Sequence, residues 1–134
     1  MTEEKNQDFQ SFLEYASKKE GSQCLCAVFC HSAADDIDRL YTSGKSLMPV
    51  MCVDKSLHRL GQFKDLASDS SLVGIGWDVV CISVLVGRNG MMPTAIETNK
   101  RLDVMLELIR RGDTGKLVMF DREGQHVKLV SVSP

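Results

Sequence analysis

Two unbroken apolar segments constrain this chain most. Residues 23–30, centred on Leu25-Cys-Ala-Val-Phe29, and residues Val79–Val86 carry no charged side chain. A strand with one wet face alternates apolar and polar residues, whereas a strand apolar at nearly every position is covered on both faces. Met48-Pro-Val-Met-Cys-Val53 is a third segment of the same kind. Helical spacing recurs between and around these runs. Phe9, Phe12, Leu13 and Ala16 mark a first helix, which Gly21 can stop. Ile37, Leu40 and Tyr41 mark a second, with Ser32 and Asp35 as its capping box and Ser43-Gly44 as its break. Leu57, Leu60, Phe63 and Ala67 mark a third, capped by Asp54 or Ser56 and followed by a loop at 68–71. Leu102, Met105, Leu106 and Ile109 mark the clearest one, with Arg110 and Arg111 at its negative end and Gly112 as its stop. Residues 91–97 read as ambiguous, with a short strand as one option.

Helices alternating with continuous apolar strands predict an α/β fold: a three-layer sandwich with a mostly parallel central sheet and helices on both faces. The chain closes with strands at 116–121 and 126–132, joined by the turn Asp121-Arg-Glu-Gly124. These predict an antiparallel C-terminal hairpin at or near a sheet edge. That edge is apolar enough to invite pairing with another chain. With 134 residues and no repeat or linker, residues 1–134 form a single α/β domain, with residues 1–6 as a disordered tail. The expected core is Val28, Val50, Val53, Val80, Ile82, Val84, Leu102, Leu106 and Ile109.

A net charge of −2 argues against broad nucleic-acid binding, which uses a basic surface. No apolar run approaches the ~20 residues of a membrane span. The polar N-terminus, Met1-Thr-Glu-Glu-Lys-Asn6, has no signal-peptide core. Five cysteines at C-x-C and C-x3-C spacings, with no answering pair downstream, make no zinc site. They read as reduced thiols in a cytoplasmic setting.

Cys30-His31-Ser32 is the first place to look for chemistry, because it ends a strand where a helix is expected. A thiol near a helix N-terminus is favoured as thiolate, and His31 can add to that effect. The plainer reading of Cys30 is a partly buried, inert strand-end cysteine. Asp35, Asp36 and Asp38 suit a helix N-terminus. Gly74-Ile-Gly76 precedes a strand, so it is no dinucleotide fingerprint. Trp77 is either a core plug or a contact residue, and Arg88 opens a basic stretch that continues to Arg111. Trp77 and Arg88 are the expected partner contacts. No cofactor or metal is implied.

These elements resemble the thioredoxin-like superfamily over about residues 8 to 111. Asp8-Phe9-Gln-Ser-Phe12-Leu13 is similar to its opening helix. Val53-Asp54-Lys-Ser56 with Phe63 is similar to its strand-then-helix segment, and Cys81–Val86 with Arg88-Asn-Gly90 to its later strand and turn. The family's C-x-x-C is absent, and Pro93-Thr94 falls after the strand that its cis-proline precedes. The resemblance therefore implies a non-catalytic member that binds a protein partner, either another protein or a second copy of itself. A single-cysteine thiol function at Cys30 is the alternative. Met48-Pro49-Val50 through Leu60-Gly61 also resembles the L7Ae-type RNA-binding domains, without their Gly-Asn-Glu stretch. That implies RNA binding as a further alternative.

Overall fold

Phe9–Ser17 forms helix α1 because Asp8 stands in extended backbone before it. Its Oδ1 accepts the Ser11 N–H at 2.9 Å. The computed structural model describes residues 8–18, 22–32, 47–57, 62–68, 74 and 76–127. Within them follow β1 (Gln23–Ser32), β2 (Leu47–Ser56), the short α2 (Phe63–Ala67), β3 (Val79–Val86), the long α3 (Ala95–Arg111), β4 (Val118–Asp121) and β5 (His126–Val127). A single 3-10 turn at Thr114–Lys116 precedes β4. The expected tail, the Gly21 stop, the helix through Ile37, Leu40 and Tyr41 with its Ser43-Gly44 break, Leu60, the loop at 69–71 and strand residues 128–132 lie outside the described residues.

The strands form one sheet in the order β2-β1-β3-β4-β5, and every neighbouring pair is antiparallel. This corrects the expectation of a mostly parallel, thioredoxin-like sandwich. The apolar run of β1 does mark a strand buried on both sides. Leu25, Ala27 and Phe29 enter one core with α1 and α2, while Cys26, Val28 and Cys30 enter another beneath α3. Two-sided burial, however, carries no information about the direction of the neighbouring strands. β2 and β3 both run against β1 and flank it, so they run parallel to each other with β1 between them. The connection from β2 to β3 carries α2. Helix α3 links β3 to its antiparallel neighbour β4.

Other boundaries shift for local reasons. The third expected helix shrinks to Phe63–Ala67, because Asp54 and Ser56 belong to β2; Gln62 and Asp65 form the capping box instead. Residues 91–97 form no strand. Thr94 caps α3 and Glu97 closes the capping box, so the helix starts at Ala95. Gly112 ends α3 at φ 77° with Arg110 and Arg111 in its last turn.

The α1-side core is knitted by aromatic rings. Phe9 lies 5.1 Å from Phe63 and 5.3 Å from Phe120, both edge to face, which ties α1 to α2 and β4. The β4–β5 hairpin sits at the sheet edge, and its turn meets α1 where Phe9 N donates to Gly124 O at 2.8 Å. Gly124 has φ 81°, and an added Cβ would stand 3.1 Å from the Phe63 ring, so conformation and space both require glycine there. Of the expected core, Val28, Val80, Ile82 and Ile109 are buried. Val53, Val84, Leu102 and Leu106 are only half-buried. Val50 is 37% exposed on β2.

Candidate functional site

Cys30 and His31 are adjacent in β1, so their side chains leave opposite faces of the sheet. The Cys30 thiol is fully enclosed beneath α3, where Sγ donates to Val28 O at 3.8 Å. The exposed His31 ring instead meets Asp78, Nδ1 to Oδ2 at 3.4 Å, and the Asp78 N–H donates to Cys30 O at 2.8 Å. The backbone brings the two residues together and the pleat separates their chemistry.

All five cysteines share the α3 side of the sheet. Cys24, Cys26 and Cys30 hold alternate positions along β1, and Cys52 on β2 and Cys81 on β3 both stand opposite Val28. Val28 is thus ringed by Cys26 and Cys30 along its own strand and by Cys52 and Cys81 across it. Met105 and Met119 pack into the same layer. The neighbouring Cys30 thiol, together with burial, pushes Cys81 well above the ordinary thiol range. Cys26 is likewise pushed up by its hydrogen bond with Cys24 and by burial, while the same bond holds Cys24 down. Cys52 is the one exposed cysteine; partial burial, Cys30 and Asp103 push it up as well. Protonated thiols are weak nucleophiles. Among the described residues, no group of three or more His, Cys, Asp or Glu side chains is placed to hold a metal ion.

Trp77 is a core residue, 5% exposed. Its ring lies 4.8 Å from Phe29, edge on, and the Arg122 guanidinium carbon caps it at 5.6 Å. Arg88 is the reverse. It stands on the surface and its Nη2 reaches Glu97 Oε2 at 2.6 Å, stapling the turn after β3 to the first turn of α3. Glu97 also accepts the Thr94 N–H at 2.9 Å; that bond first, then Arg88, holds its carboxyl below the usual range. The turn uses Asn89 at φ 54° and Gly90 at φ 74°.

Near this stapled corner the chain exposes the large apolar side chains of Val86, Met91, Met92 and Ile96, and Val104 is exposed about two turns further along α3. Met91 is 70% exposed and Ile96 69%. Ile96 and Val104 are eight residues apart on α3, so both stand on its solvent side. Neither carries a visible signal in the sequence until the helix is known to start at Ala95. After that, Ile96 and Val104 are the two large apolar residues of α3 that stand exposed. Comparison with protein-family models, with curated proteins and with solved structures gives no match.

Proposed function

We propose that this chain is a protein-interaction module without chemistry of its own, working in the reducing setting that five free thiols fit. The supporting observation is the clustering of exposed apolar side chains. Of the eight large hydrophobics exposed among the described residues, five lie between Val86 and Val104. Single exposed apolar residues are ordinary, but several of them in one stretch of chain fit an interaction surface. It carries two exposed methionines and Arg88, residue types enriched at interfaces. The Arg88–Glu97 staple and the capping box hold the corner in one shape, which lowers the ordering cost on binding. No helix among the described residues is long and apolar enough to cross a membrane.

A photo-crosslinking amino acid at position 96, with position 64 on α2 as control, tests this in cells. The expected result is one discrete adduct from 96, none from 64, and loss of the adduct on adding Val104→Glu. Equal labelling from both positions, or an adduct indifferent to Val104→Glu, refutes the reading.

A further inference from the structure

We draw no further inference here: the strongest candidate, the apolar cleft between α1 and strands β3 and β4 that Phe12, Ala16, Ile82, Val84 and Val118 line, carries nothing because no feature of the structure shows what covers it.

Discussion

Truncating Ile109 to alanine tests how the second core is built. Ile109 is fully buried and packs with Met105 among Cys26, Val28 and Cys30, so it anchors α3 against β1. The substitution removes roughly three buried carbons at ~0.8 kcal/mol each, about 2.4 kcal/mol of transfer free energy. The cavity left in a rigid sheet-and-helix layer adds to that, so the expected loss is about 3–4 kcal/mol, within the range known for such changes. Leu106, one turn away, is half-buried, and Leu106→Ala should cost about half as much. For a chain of this size a urea m-value of ~2 kcal/mol/M converts the Ile109 loss into a midpoint shift of about 1.5–2 M. Equilibrium urea unfolding followed by circular dichroism reads both variants. A loss below about 0.5 kcal/mol for Ile109→Ala, or a larger loss for Leu106→Ala, refutes the packing of α3 described above.

Gly87→Ala should be among the most damaging single-methyl additions, because an added Cβ would stand 1.8 Å from the backbone oxygen of Met91. The expected outcome is a lower thermal midpoint together with loss of position-96 crosslinking; an unchanged midpoint contradicts the close approach at that turn. Alkaline pH should destabilise the fold. Cys26, Cys52 and Cys81 titrate higher folded than unfolded, so the folded state holds its protons more tightly. Their contribution is complete below the ordinary thiol value of 9.0 and is lost as pH rises above it, with Cys24 offsetting a part. The urea midpoint should fall as pH rises above 9.0, and fall less in Cys81→Ala; a flat profile refutes the protonated thiol layer.

What the sequence alone determined is the local and the two-sided. The caps at Gly112 and Gly124, the α3 stripe through Met105 and Ile109, and the closing hairpin follow from side chains acting on their own backbone. The burial of residues 23–30 of β1 follows from their unbroken apolar run, because solvent exclusion is written into side-chain type. Strand direction is not written there. Backbone N–H and C=O groups are the same at nearly every residue, so Leu25–Phe29 reads alike between parallel or antiparallel neighbours. Only the assembled sheet decided that β2 and β3 flank β1 in the opposite sense. The same holds for the candidate sites. The even spacing of Cys24, Cys26 and Cys30 is visible in the chain, but Cys52 and Cys81 join them only through register. His31 stands beside Cys30 in sequence, and the pleat sends it to the other face. Trp77 left the surface because Phe29 and Phe63 closed around it, and Val50 left the core because β2 is an edge. Each of these outcomes depends on which element lies across from a residue, a distance relation that tertiary packing sets and neighbouring letters do not encode.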